Sequence, residues 1–264
     1  MAPKAAAFPT IDLMGVPIHA VTEAECISFI LDELRAGSGG WVATPNLDHL
    51  RRLWRDASFR KLCASANLLV PDGIPLLWAS RLQRTPLPGR VAGSDLISSL
   101  SRAAGESGRT VFLLGGDPGT AEEAAQTLRQ ENPELKIAGM SCPPIGFDRD
   151  DAAKQRLAAE VRAAAPDIVF VALGSPKQEK LMQELRNELP GAWWIGVGIS
   201  FSFLSGAVKR APSWMQRSGL EWFHRLVQEP RRMASRYLWY GLPFALVLFA
   251  TAAWRGVTGR GRES

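Results

Sequence analysis

Asp72 follows the apolar run Asn67-Leu68-Leu69-Val70 and precedes Gly73, just beyond a predicted strand, where backbone can approach a ligand closely. A carboxylate at that position can take the proton of an attacking hydroxyl. A turn aspartate bonded to its own backbone has the same local signature, and the residues alone leave both readings open. Arg90 lies in the glycine-rich stretch Pro88-Gly89-Arg90-Val91-Ala92-Gly93, ahead of a helix capped by Ser94 or Asp95. A guanidinium in such a loop is ordinarily solvated, whereas a phosphate-bearing ligand would engage its fork. Apolar runs also lead into Thr44-Pro45-Asn46, Asp117-Pro118-Gly119 and Ser175-Pro176-Lys177-Gln178. Each offers an N-cap candidate followed by proline at the first helical position. Ser175 and Gln178 also fit the S-x-x-Q capping box, so Gln178 reads either as a cap or as a ligand-facing amide.

The elements that must position these residues alternate. Apolar runs at 41–44, 67–70, 110–115, 135–139, 167–174 and 193–198 have the length and the Val, Ile, Leu and aromatic content of buried parallel strands. Helical stretches at 22–35, 47–65, 75–83, 95–104, 120–131, 151–164 and 177–189 lie between them, the second open to a break near Asp56. The pattern predicts an α/β fold with a doubly wound parallel sheet, whose ligands bind beyond the carboxyl ends of the strands. Helix N-termini gathered along that edge favour phosphates, hence a nucleotide or pyrophosphate ligand. The G-x-G-x-x-G of dinucleotide enzymes is missing: Gly115, Gly116 and Gly119 have the wrong spacing, and Phe201 stands where a third glycine should follow Gly196 and Gly198. No Walker lysine follows these loops either, which argues against NAD-dependent oxidoreduction and P-loop hydrolysis.

No metal or cofactor is expected. Cys26, Cys63 and Cys142 have no C-x-x-C spacing, and His19, His49 and His224 are far apart in the chain. Asp148-Arg149-Asp150 has the letters of a metal-holding D-x-D but reads better as the acidic first turn of helix 151–164. The opening residues are too short an apolar run for a signal peptide, and the body is expected in a reducing cytosol.

Charge divides the chain of 264 residues. From Ala207 onward ten basic side chains face three acidic ones, a net of +7, while residues 1–206 hold 21 basic and 23 acidic. The basic part contains Trp214, Trp222, Trp239, Trp254 and both tyrosines. Basic residues interleaved with aromatics serve nucleic acid or an anionic membrane. The uncharged run Leu238–Trp254, bracketed by Arg236 and Arg255, favours the membrane and argues against nucleic acid. Its seventeen residues span roughly 26 Å as a helix, the lower limit for crossing a bilayer. Gly241 and Pro243 favour a break, so a membrane-inserted or interfacial anchor is expected ahead of a single span or a helix buried in a soluble oligomer. The predicted division is a catalytic body at 1–206 and a membrane-associating appendage at 207–264.

Five segments in order resemble the motifs of the WecG/TagA/CpsF family of bacterial glycosyltransferases: TPN at 44–46, PDG at 71–73, RVAGSDL at 90–96, GSPKQE at 174–179 and KRAPSWMQRSGLEWFHRLVQEPRR at 209–232. The resemblance runs from about Gly15 to about Arg236. It implies a Rossmann-like body and inverting, metal-independent transfer of a sugar from a UDP-sugar to a polyprenyl-diphosphate-linked saccharide, in surface polysaccharide biosynthesis. The donor could be an N-acetylmannosamine type, its uronic acid, or a hexose such as glucose. The enzyme would work at the cytoplasmic face of the bacterial inner membrane and is compatible with a homo-oligomer. By motif position Asp72 is the general base, Thr44, Asn46, Arg90 and Gln178 line the pocket, and Arg225 and Arg232 meet the diphosphates. Relatives often carry another basic residue three positions after Arg232, where this chain has Ser235 with Arg236 beside it. Two other readings remain: a non-catalytic membrane-associated nucleotide-binding adaptor, and a nucleotide-dependent oxidoreductase.

Overall fold

The computed structural model describes residues 8–259. A hairpin comes first, β1 (Thr10–Leu13) and β2 (Val16–His19), then α1 (Glu23–Arg35), β3 (Gly40–Ala43), α2 (Leu47–Arg55), α3 (Ala57–Cys63) and β4 (Leu68–Leu69). There follow α4 (Ile74–Leu82), α5 (Gly93–Glu106), β5 (Thr110–Gly115), α6 (Thr120–Glu131), β6 (Lys136–Ser141), α7 (Asp151–Ala164), β7 (Ile168–Ala172), α8 (Lys177–Leu185), β8 (Trp193–Gly196) and α9 (Ser200–Leu204). The C-terminal part holds α10 (Ser213–Arg217), α11 (Glu221–Gln228), α12 (Pro230–Ala234), a π-helical stretch Ser235–Gly241 and α13 (Leu242–Thr258).

β3 to β8 form one parallel sheet in the order β4-β3-β8-β7-β5-β6, as the alternating pattern predicts. Successive side chains alternate between faces: Val111, Leu113, Ile168 and Phe170 join α1, α5, α6 and α9, while Phe112, Leu114, Val169 and Val171 join α2, α3, α4, α7 and α8. Both faces are thus dry across the inner strands, which is why those read as unbroken apolar runs, while the edge strand β6 stays partly exposed. The break near Asp56 is present, with the Asp56 carboxylate capping α3 through the N–H groups of Ser58 and Phe59.

α13 lies along the body. Phe244, Leu248, Ala252 and Gly256, spaced by four, turn one stripe inward, and the first three join the core shared with α2 and α4. A Cβ on Gly256 would sit 2.2 Å from the Leu82 carbonyl oxygen, so only glycine permits this approach. Leu242, Leu246, Val247, Trp254 and Val257 remain exposed on α13. The break favoured at Gly241 and Pro243 does not occur; helical winding continues from Ser235 to Thr258 and changes from π to α at that point. Proline lacks an N–H and crowds the carbonyl four residues back, and the wider π turn precedes it where an α ladder would be broken.

Candidate active site

The turns after β3, β4, β7 and β8 meet at the carboxyl edge of the sheet. The Thr44 hydroxyl donates to the Gly196 carbonyl at 3.1 Å, tying the β3 turn to the β8 turn. The Asp72 N–H donates to the Pro45 carbonyl at 3.0 Å and the Val91 N–H to the Pro71 carbonyl at 2.8 Å. Asp72 is thereby held between the Thr44–Asn46 turn and the Arg90 loop. Its carboxylate has no hydrogen bond among the described residues, so the turn-aspartate reading is not what forms. Asn46 caps α2, accepting from the N–H groups of Asp48 and His49 at 3.1 and 3.2 Å.

The expected caps are otherwise displaced. Thr44, Asp117 and Ser175 do not cap; the N-cap positions fall at Asn46, Gly119 and Pro176. Ser94 and Asp95 lie inside α5, whose N-cap is Ala92. Nor does the Ser175–Gln178 capping box form. Gln178 is buried and reaches across the edge instead: its Oε1 accepts from the Gly198 N–H at 3.3 Å and its Nε2 donates to Glu179 Oε1 at 3.0 Å. Gly196 makes room, since a Cβ there would lie 2.7 Å from Gln178 Nε2. Glu179 Oε1 also faces His49 Nε2 at 3.5 Å, and burial holds the imidazole below its ordinary pKa against the pull of Glu179. Glu179 Oε2 and the Ser175 hydroxyl are buried without a hydrogen-bond partner among the described residues.

Arg90 is not a solvated loop residue. Its Nη2 donates to Asp95 at 2.6 Å and its Nη1 to Glu221 at 3.1 Å. Arg210 donates to the other Asp95 oxygen at 2.5 Å and to Ser94 Oγ at 2.9 Å, and its Nε lies 3.8 Å from Glu221. Two guanidinium groups and two carboxylates therefore alternate across the boundary between body and appendage. Asp72 sits beside this quartet, half-buried. Burial pushes its carboxyl up to about 7; Glu221 and Asp95 add to the rise, while Arg90 and Arg210 oppose it.

The appendage places Arg225 on α11 and Arg232 on α12. The two do not share one continuous helix, because the chain turns at Glu229 and restarts with Pro230 at the head of α12. Arg225 Nε is shielded and has no hydrogen-bond partner among the described residues. The Arg232 side chain lies outside what the structure describes. Arg236 Nε stands 3.2 Å from Asp48 Oδ2, two residues after Asn46, and with Arg51 it holds the Asp48 carboxyl below its usual range against the effect of burial. In the D-x-D letters, Asp150 is the N-cap of α7, so the expected helix start is present there, and Asp148 pairs with Lys177 at 3.4 Å. Among the described residues no cluster of His, Cys, Asp and Glu forms a metal-holding group.

Arg210, Glu221, Glu179, His49 and Arg236 were not singled out from sequence as site residues. Arg210, Glu221 and Glu179 lie inside the motif segments, but their partners are distant in the chain or lost among ordinary charged positions.

A family model described as "Glycosyl transferase WecG/TagA/CpsF family" matches residues 11–257. The chain is 38% identical over 194 residues to an N-acetylglucosaminyldiphosphoundecaprenol N-acetyl-beta-D-mannosaminyltransferase of Bacillus subtilis (strain 168), covering 74% of this chain and 73% of that protein. It is 35% identical over 199 residues to the protein of the same description in Bacillus spizizenii, covering 75% of each.

Proposed function

Because the chain belongs to the WecG/TagA/CpsF family of glycosyltransferases, we propose that it moves a sugar from a UDP-sugar onto a polyprenyl-diphosphate-linked saccharide, with Asp72 as general base. The observation that carries this reading is the Asp72 carboxylate: free of hydrogen bonds among the described residues, set at the strand edge, and raised to about 7. A base needs a pKa near working pH to be both ionised and willing to accept a proton. The acceptor hydroxyl attacks the anomeric carbon of the donor from the face opposite UDP. The new C–O bond forms as the bond to the UDP oxygen breaks; the hydroxyl proton passes to Asp72, and the anomeric centre inverts.

The other groups follow from charge. UDP leaves with negative charge, which Arg90 and the helix N-termini at the strand edge stabilise without a metal. Thr44, Asn46 and Gln178 border the same edge and orient the donor. Arg225 and Arg232 present guanidinium forks to the acceptor diphosphate, and Arg236 beside Asp48 supplies a further positive charge close to that of the position it follows. The exposed face of α13, together with Trp214, Phe223 and Trp239, lies in the membrane interface at the cytoplasmic side of the bacterial inner membrane. A span would strip Phe244, Leu248 and Ala252 from the core, so the helix lies on the bilayer rather than through it.

The test is turnover of a panel of UDP-sugars on polyprenyl-diphosphate-linked N-acetylglucosamine in excess EDTA. Transfer with one or more donors, at a rate independent of the chelator, supports the reading. A strict Mg²⁺ or Mn²⁺ requirement lost in Asp148→Ala would overturn the metal-independent part of it, and no transfer with any donor would leave the adaptor reading in its place.

A further inference from the structure

A groove of about 410 Å³ runs between α4 and α13, lined by Trp78, Arg81, Leu82 and Phe249. Trp78 and Leu82 are 42% and 46% exposed, large apolar side chains that the body leaves uncovered. The Phe249 ring stands 6.3 Å from that of Trp78, tilted by 48°, so the two rings form an aromatic corner rather than a closed stack. Ile74, Trp78 and Leu82 recur every four residues and make one stripe on α4.

The helix that carries this stripe begins at Ile74, immediately after Asp72 and Gly73. At about 1.5 Å per residue, Trp78 and Leu82 lie roughly 9–15 Å along the chain axis from Asp72. Between them stands the appendage turn: a Cβ on Gly219 would lie 3.0 Å from Ile74 and 3.1 Å from Trp78, so the segment leading into α11 covers the upper end of the stripe. On the proposed reading, a sugar whose hydroxyl meets Asp72 carries its diphosphate on the far side of the ring, where Arg225 of α11 would meet it. The hydrocarbon attached beyond that diphosphate must then leave along apolar surface, and the stripe below Gly219 provides it.

We propose that the groove between α4 and α13 seats the first isoprene units of the acceptor's polyprenyl chain. Its aromatic walls match methyl-branched, unsaturated hydrocarbon, and Arg81 in its lining supplies a positive charge that an anionic headgroup layer would attract. The proposal rests on the polyprenyl-diphosphate acceptor named above. It goes further in naming where the lipid lies, and it distinguishes this groove from the exposed face of α13, which meets bulk phospholipid.

The direct test labels the full-length wild-type chain, in nanodiscs of phosphatidylethanolamine and phosphatidylglycerol, with a benzophenone-bearing farnesyl diphosphate. Photolabel is expected on the peptides holding Trp78, Leu82 and Phe249, competed by unlabelled undecaprenyl diphosphate and not by added phospholipid. Label elsewhere, or loss of label to phospholipid alone, overturns the proposal. In kinetics, Trp78→Ala and Leu82→Asn are expected to lower the ratio of kcat/KM for a long-chain over a short-chain acceptor about tenfold. An equal loss with both acceptors would make these residues merely structural and overturn the assignment. If wild type transfers to neither acceptor, the catalytic reading fails while the photolabel map still decides the groove.

Discussion

Asp72 holds its proton in the folded chain far above the 3.8 of an ordinary aspartate, and that displacement has consequences for rate and for stability. Below about pH 7 the carboxyl is protonated and cannot accept, so kcat/KM should fall about tenfold per pH unit on the acid side, with an apparent pKa near 7. Asp72→Asn should lower transfer by roughly 10²–10⁴ and remove that limb. The stability effect has the opposite sense. Because the folded pKa is raised, the contribution is present below the unfolded value and is lost as pH rises through about 7. Asp72→Asn should therefore melt at a higher temperature than wild type at pH 8, and a lower melting temperature there would mean that the carboxylate is structurally satisfied. Glu179 makes a separate case, since its acceptor-only oxygen fixes which end of the Gln178 amide faces Gly198. Glu179→Gln keeps the shape but lets the Gln178 amide turn over. Affinity for UDP, read by calorimetry, should weaken several-fold with little change in melting temperature.

Among the helices, α13 is set by one close contact and one stripe. Gly256 lets its backbone approach Leu82 at the end of α4, and Arg255 pairs with Asp12 in the β1–β2 hairpin, so the end of the chain is pinned near its beginning. Gly256→Val must push the two helices apart, at a cost of about 1–3 kcal/mol. Faster amide exchange in both α4 and α13 should accompany the lower melting temperature, and a change confined to α13 would contradict the packing described. α11 makes a different demand, because Arg225 Nε is shielded without a hydrogen-bond partner among the described residues while Phe223 and Val227 on the same helix are exposed. Arg225→Lys keeps the charge and loses the fork. Turnover should drop while vesicle partition stays at the wild-type level; full turnover with lysine would reduce Arg225 to a surface charge.

Across the chain, the division at residue 206 marks a change in charge, but packing crosses it. Phe244 and Leu248 are fully buried in the main core, each worth about 1.5–3 kcal/mol, and Arg210 and Glu221 complete the quartet around Arg90. Their sum is a large share of the 5–15 kcal/mol that typically holds a domain together. Removing residues 207–264 should therefore yield a body that aggregates or melts well below the full chain and loses transfer. A truncated chain that stays monomeric and keeps the full-length melting temperature would show that the appendage is a separable anchor.

The sheet was legible in the sequence: all six parallel strands overlap the predicted apolar runs, most plainly the inner ones, which are dry on both faces and so apolar along their length. So were the charged appendage and the edge at which Asp72, Thr44 and Gln178 stand. The β1–β2 hairpin was not legible, since its turn is Met14-Gly15 and methionine at positive φ carries none of the usual Asn-Gly signal. Ser175 and Gln178 show the same limit, as one set of letters serves a capping box or a bridge to another strand. Only the arrival of Gly198 from β8 selects the bridge. One of the two partners of Arg90 is 131 residues away in Glu221, and the raised pKa of Asp72 depends on burial and on charges from both parts of the chain. Local periodicity reports which residues must be dry, a property each position carries alone; pairing and desolvation depend on what the fold brings alongside.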